Sequence, residues 1–301
     1  MFSQDSNIVE IGAGKFAHSL VPALKKAGYK VAGIVSKNLQ SAKTLANKYQ
    51  IPFSSDKLKS LTKDFNIFFL AVPDSQIKKV AAKLSKLNLD FPSSLFIHVS
   101  GALNVLELES LRKKKATTAS FHIMQTFPTK QVVNLKNSYA AIETSNKNAQ
   151  KYLLDLASKL KLKTIIIPTK QKVYYHLAGV FASNFLAGNL FASEKLFSKN
   201  KKKEIKFFDV AKLIVYSTLK NIEREGATKA LSGPVERGDF ETVKKHISAL
   251  KKIFRNKISK SLYLSYLSQS LALLEVSKEE NGMLSKNQKR MRKLLLANLK
   301  S

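Results

Sequence analysis

The chain's 301 residues exceed what one small core needs and suffice for two domains, and its 44% hydrophobic and 9% aromatic content excludes a disordered chain. With no cysteine it can form neither disulfides, thiol nucleophiles nor thiolate metal sites, which fits a reducing compartment such as the cytoplasm; no metal site is expected. The formal net charge of +31 raises a polyanion partner as one reading, yet 46 of the 52 basic residues are lysines spread along the whole chain. Nucleic-acid readers concentrate arginine on one face, where its planar fork pairs with phosphates and guanine edges. The longest basic runs, Lys113 to Lys115 and Lys201 to Lys203, read as solvated loop or helix-end lysines. A lysine-rich composition is therefore the preferred reading, nucleic acid is not expected as a partner, and the charge remains available to recruit an anionic cofactor or substrate.

Residues 1–5 lack the basic-then-apolar pattern of a secretory signal. From there, strand and helix signals alternate. Residues 7–11 form a short apolar run ending at glycine, and residues 15–27 have helical spacing that stops at Gly28. A second strand is predicted over 30–35 and a second helix over 39–49. The nearly continuous apolar run 65–72 suits a parallel strand covered on both faces. A helix over 74–87 and a strand over 95–99 follow, then a strand over 139–142, a helix over 148–160 and a strand over 163–167. Strands separated by helices imply βαβ units and a mostly parallel sheet. After Pro168 only helical periodicity continues, with turn signals at Ser198 to Lys203, Gly226, Ser232 to Gly238 and Asn281-Gly282. The expected division is an α/β domain over 1–167 and an all-helical domain over 168–301.

Gly12-Ala13-Gly14-Lys15-Phe16-Ala17 is a G-x-G-x-x-A turn between the first strand and the first helix. The first glycine permits the tight turn, the second lets main chain approach a pyrophosphate, and Ala17 lets the helix pack closely on the sheet. Helix N-terminal amides would then face the anion. Gly12, Ala13, Gly14, Lys15 and Phe16 are therefore candidate cofactor contacts. Two residues nearby fit poorly. Glu10 lies in a strand that should be buried, where an unpaired carboxylate is costly, and Pro22 should kink or shorten the first helix.

NAD sites place a carboxylate at the end of the second strand to hold the ribose 2′-hydroxyl. This chain has none between Ile11 and Asp56, and ends that strand Val35-Ser36-Lys37. A hydroxyl and an ammonium suit a 2′-phosphate, so Ser36 and Lys37 point to NADP rather than NAD. Ala71, Val72 and Pro73, at the end of another strand, complete the expected cofactor contacts, with Asp74 read as an N-cap. Ser100-Gly101, His122 and Gln125 lie where the carboxyl ends of strands should gather.

Residues 176–191 are interrupted by His176, Ser183, Asn184 and Asn189, too polar for a membrane span, and are predicted to form a buried central helix. At 100° per residue His176, Ser183 and Ala187 share one face with Asn184 beside them, a polar stripe suited to a cleft wall.

The chain resembles the family that joins a Rossmann-like domain to the domain called DUF2520, and is more distantly similar to pyrroline-5-carboxylate reductases, β-hydroxyacid dehydrogenases and F420-dependent NADP reductases. The segments carrying this are Ile11-Gly12-Ala13-Gly14, His98-Val99-Ser100-Gly101-Ala102, Ser120-Phe121-His122 through Gln125-Thr126-Phe127-Pro128, Tyr175-His176-Leu177-Ala178, Phe181-Ala182-Ser183-Asn184 and Leu231-Ser232-Gly233-Pro234-Val235-Glu236-Arg237-Gly238-Asp239. By composition the last could simply shape a turn, with Asp239 capping the next helix. The resemblance implies a Rossmann-type, mostly parallel sheet followed by a helical domain of the 6-phosphogluconate-dehydrogenase-like type, and a homodimer. It also implies substrate contact at Ser100 and Gly101. The catalytic lysine of β-hydroxyacid dehydrogenases, four residues before an asparagine matched by Asn184, is replaced here by Val180, and its mechanism does not transfer.

The function expected is an NADP-dependent reductase of a small C=O or C=N compound, with His176 first and His122 second as proton donor and Ser100, Gly101, Gln125, Ser183 and Asn184 around the substrate. The alternatives are a non-catalytic dinucleotide-binding protein and a polyanion-binding protein.

Overall fold

The computed structural model describes residues 2–198, 205–253 and 257–300. Most of the predicted turn at Ser198 to Lys203, and the Lys201 to Lys203 run, lie outside the described residues. The chain packs as two units, Met1–Leu186 and Ala187–Ser301.

The first unit is built on a sheet ordered β3-β2-β1-β4-β5-β6-β7-β8. Its strands are β1 (Ile8–Ile11), β2 (Val31–Val35), β3 (Phe53–Ser55), β4 (Ile67–Leu70), β5 (Leu95–His98), β6 (Thr117–Ile123), β7 (Tyr139–Glu143) and β8 (Lys163–Ile166). Every pairing is parallel except β6 with β7. This is the expected Rossmann-type α/β class, a mostly parallel doubly wound sheet extended by β7 and β8 and followed by helices.

Strand alternation divides its side chains between two cores. Ile8, Ile34, Phe69, Ile97 and Phe121 pack with helices α1 (Ala17–Lys26), α2 (Leu39–Lys48) and, further along, α5 (Lys147–Lys159). Val9, Ile11, Phe68, Leu70 and Phe96 pack with α3 (Asp74–Leu84) and with Leu111 of the short α4 (Glu109–Arg112). Phe68 and Phe96 stack with ring centroids 4.3 Å apart. The helices begin and end on local signals: Asn38 and Asn146 accept from the N–H of Ser41 and Ala149, and Gly28 has φ 83° just past α1.

Both misgivings about the first βα unit have physical outcomes. Among the described residues Glu10 is fully buried with no hydrogen-bond partner on either carboxyl oxygen, and burial pushes its pKa well above the ordinary carboxylate range. Pro22 does not break α1, which runs on to Lys26. Two strands escaped the sequence reading, β3 and β6. Thr117–Ile123 mixes hydroxyls, alanine and histidine, so it shows no apolar run, yet it lies central in the sheet.

Beyond Pro168 come α6 (Lys172–Gly179), a π-helical turn (Val180–Asn184) and α7 (Phe185–Phe197), then α8 (Phe207–Glu225), α9 (Phe240–Ile253), α10 (Lys257–Asn281) and α11 (Lys286–Leu299). In the second unit Val243, Ile247, Leu267, Leu274, Met291 and Leu295 form the core. The Leu231-to-Asp239 motif serves the fold here. Gly233 and Gly238 take φ 130° and 69°, and Asp239 Oδ1 accepts from the N–H of Thr242, 3.0 Å away, to cap α9. Gln288 ties the motif to α10 and α11 through bonds to Val235 O, Glu236 O and Ser277 Oγ.

One expectation is overturned. The segment 176–191, predicted as a buried central helix, is helical throughout with a π-helical turn at Val180–Asn184, but Leu177, Phe181, Phe185 and Phe191 are 45%, 67%, 50% and 47% exposed. Apolar content reports that a face seeks burial, not which surface supplies it. The segment 172–186 packs with the sheet unit, where Lys172 and Tyr175 reach side chains of β6 and β7.

Candidate active site

The turn after β1 is shaped by one close approach. Gly12 donates to Val35 O at 2.7 Å and has φ 123°, and a Cβ placed on it would lie 2.1 Å from Ala71 O. No side chain is tolerated there. Gly14 is the opposite case, since a Cβ on it would meet nothing within 4 Å. Helix α1 starts at Ala17 with no side-chain cap and no acidic residue in its first turn, its His18 and Ser19 N–H groups bond back to Gly14 O and Phe16 O, and Gly14 and Lys15 before it are exposed. Such a cradle, open and free of negative charge, fits a dinucleotide pyrophosphate. Ala71 lines it by donating to Ile11 O at 2.8 Å. Past β2, Ser36 is half-buried and donates its backbone N–H to Ser55 O, while Lys37 is exposed. Phe16 meets Phe127 edge to face at 5.1 Å, joining the turn to the segment that follows β6.

At the carboxyl ends of β5 and β6 a second group gathers. Ser100 Oγ donates to Asp74 Oδ2 at 2.9 Å and accepts from the N–H groups of Ala102 and Leu103. Asp74 is therefore not the cap of α3, whose N-cap is Pro73; it holds Ser100. Gly101 is the meeting point of two histidines. A Cβ there would lie 2.8 Å from His122 Nε2 and 3.0 Å from His176 Nδ1, so glycine is what lets both rings converge. His122 Nδ1 bonds Tyr175 Oη at 3.0 Å with the rings edge to face. Burial, then the charge of Lys172, then His176 push the His122 pKa down to about 3, and burial pushes Tyr175 up to about 12. His122 is thus a neutral imidazole at physiological pH.

Ser183 and Asn184 lie in the π-helical turn, half-buried and exposed respectively, and among the described residues neither bonds His176. A π-turn, with more residues per turn, rotates less per residue than the 100° used to place them on the His176 face. Gln125 is exposed, with its Oε1 accepting the N–H of Thr126.

Lys172, Glu143, Ser120 and Tyr175 went unnoticed as site residues. Lys172 is 1% exposed. Its ammonium donates to Ser120 Oγ and lies 3.6 Å from Glu143 Oε2, while Glu143 Oε1 accepts from the N–H of Val105 at 3.1 Å. One usable signal was the spacing Lys172, Tyr175, His176, which puts all three on one helical face. It was masked by a chain in which lysine is everywhere. Among the described residues no three histidine, aspartate or glutamate side chains gather as metal ligands, and no helix is long and apolar enough to cross a membrane.

The NADP oxidoreductase, coenzyme F420-dependent, family matches residues 7–97, and the family DUF2520, a domain of unknown function, matches residues 138–269. No curated protein matches the sequence. Among solved structures, protein BF3122 from Bacteroides fragilis, assigned as an NADP oxidoreductase, is 22% identical with TM-score 0.75, covering 90% of this chain and 98% of that one. Protein TM1727 from Thermotoga maritima is 24% identical with TM-score 0.68, over 91% and 99% of the two chains. An imine reductase from Myxococcus stipitatus in complex with NADP+ is 12% identical with TM-score 0.63, over 88% and 94%. The chain thus carries an N-terminal match to the coenzyme-F420-dependent NADP oxidoreductases joined to a DUF2520 match, on the Rossmann-plus-helical fold of the dehydrogenases and reductases.

Proposed function

We propose that the protein is an NADP-dependent reductase of a small C=O or C=N compound. The observation that carries this is the open, uncapped turn at Gly14 on the same sheet edge as the paired histidines on Gly101. The reduced coenzyme would supply a hydride. The chain's own residues do the rest. Amides at the start of α1 hold the pyrophosphate, and the absence of a carboxylate after β2 leaves Ser36 and Lys37 to receive a 2′-phosphate. Ala71, Val72 and Pro73 line the adjacent wall. Ser100, fixed by Asp74, and the bare backbone of Gly101 position the substrate, with Ser183, Asn184 and Gln125 on its outer side. His176 gives a proton to the oxygen or nitrogen as negative charge develops there; His122, the second candidate donor by sequence, is held neutral and in contact with Tyr175 and serves beside it as a hydrogen-bonding group. The test is a fluorescence titration with NADPH and NADH followed by a screen of ketones, aldehydes and imines. NADPH is expected to bind at least about tenfold more tightly, the equivalent of one charge-assisted contact. Equal affinity for the two would remove the argument for NADP, and binding with no turnover on any compound would make this a binding protein.

The same reading includes a homodimer. Helix α8 spans 19 residues and buries only Ala211, while Leu213, Ile214 and Tyr216 are 72%, 70% and 53% exposed. A helix with almost no buried face is not stable by itself, and an apolar surface of this kind belongs against another chain. Light scattering should give twice the chain mass of 33.6 kDa, and Leu213→Glu should halve it; a monomeric wild type would refute the assignment.

A further inference from the structure

Helix α6 lies along one face of β6 in register. Ser120 and His122 of β6, with Met124 just past its end, are alternate residues and form a row on one face of the strand. Lys172, Tyr175 and Gly179 stand at i, i+3 and i+7 and share one face of the helix. The two rows pair off in order. Lys172 Nζ donates to Ser120 Oγ, Tyr175 Oη meets His122 Nδ1 at 3.0 Å, and a Cβ on Gly179 would lie 2.9 Å from Met124 Sδ. The Tyr175 hydroxyl is thus brought to His122 by close contacts on either side of it along the helix.

A neutral imidazole carries one proton, and the bond made at one ring nitrogen decides what the other can do. Burial, ahead of the charges of Lys172 and His176, keeps His122 neutral, and burial keeps Tyr175 a phenol. Two arrangements fit the 3.0 Å contact. With the proton on Nδ1, Tyr175 only accepts; its own O–H then has no acceptor among the described residues, and Nε2 is a lone pair without a donor. With Tyr175 donating, the O–H and Nδ1 satisfy each other and one group, Nε2–H, remains. The second arrangement leaves fewer polar groups unpaired. The donor that remains is not spent on the protein. His122 Nε2 lies 2.8 Å from where a Cβ on Gly101 would stand, and among the described residues it has no hydrogen-bond partner, His176 included. Glycine keeps that place open.

We propose that Tyr175 is a positioning residue of the site: its hydroxyl donates to His122 Nδ1 and fixes the imidazole with its proton on Nε2, turned to the open place over Gly101 that receives the acceptor atom of the substrate. The substrate half rests on the reductase reading; the tautomer does not. An uncharged N–H needs a lone pair to bond. The atom it receives is therefore a carbonyl oxygen or the nitrogen of an uncharged imine, and not an iminium cation.

The test is nitrogen NMR of the imidazoles in isotope-labelled full-length protein at neutral pH, without coenzyme or substrate, with the five histidines assigned by single substitution. In the wild type His122 should carry its proton on Nε2 and show a hydrogen-bonded Nδ1. Tyr175→Phe keeps the ring and removes the donor, so the Nδ1 signal should move to that of an unbonded basic nitrogen. His246, whose Nδ1 meets Tyr266 Oη at 2.9 Å in the second unit, is the internal control and should not move. A proton on Nδ1 in the wild type, or an unchanged Nδ1 signal in Tyr175→Phe, would overturn the proposal. Should Tyr175→Phe not fold, wild-type protein grown on meta-fluorotyrosine replaces it: the more acidic phenol is a stronger donor and should move Nδ1 the opposite way, and no movement would overturn the proposal equally. On a substrate found by the carbonyl and imine screen, Tyr175→Phe should lower kcat roughly three- to tenfold, the weight of one hydrogen bond, with NADPH affinity unchanged. Failure of the reductase reading would appear separately, as absent turnover in the wild type beside an intact tautomer.

Discussion

Gly12→Ala should lose coenzyme binding and stability together, whereas Gly14→Ala should lose binding alone. At Gly12 an alanine Cβ would sit 2.1 Å from Ala71 O, with φ at 123°. The backbone region costs an L-residue on the order of 1–3 kcal/mol before any clash. Relief of the clash must separate β1 from the end of β4, and that movement dismantles the cradle. Stability is expected to fall by about 3 kcal/mol or more, and NADPH affinity by at least about a hundredfold, taking about 1.4 kcal/mol per tenfold. At Gly14 a Cβ meets nothing in the protein, so the melting temperature should stay within a degree or so, the usual range for a surface change. The methyl group would nevertheless occupy the space a pyrophosphate needs, weakening NADPH by roughly ten- to a hundredfold. Thermal unfolding and fluorescence titration of the two variants separate these effects. If Gly14→Ala bound NADPH as tightly as the wild type, the phosphate would not lie on this turn.

His176→Ala should lower kcat by about 10²- to 10⁴-fold, the usual contribution of a positioned proton donor, while leaving NADPH affinity unchanged. His122 is held near pKa 3 by burial, so it does not change charge near neutrality, and His122→Asn should cost less turnover than His176→Ala. Should His176→Ala retain full turnover, the proton comes from elsewhere.

The shape of the turn from Gly12 to Ala17 was legible because everything it needs is local. A strand of four buried residues, Gly12 to Ala17 and an amphipathic helix follow one another in the chain, and short-range sterics dictate their shape. The Asp239 cap was legible for the same reason. Strand β6 was not, because alternating hydroxyl, small and aromatic residues become a strand only when β5 and β7 pair with them. Its invisibility hid the row on which Lys172 sits.

Sequence alone therefore established the βαβ order, the glycine cradle, the missing carboxylate after Val35 and the change to helices after Pro168. Only the tertiary structure decided that Lys172 is the one buried lysine among the described residues, that Asp74 serves Ser100 rather than a helix end, and that His122 and His176 converge on Gly101. The physical reason is distance along the chain. Backbone conformation is set by neighbours a few residues away, whereas burial, charge coupling and the protonation of an imidazole are set by groups that register and packing bring together from strands and helices up to about a hundred residues apart.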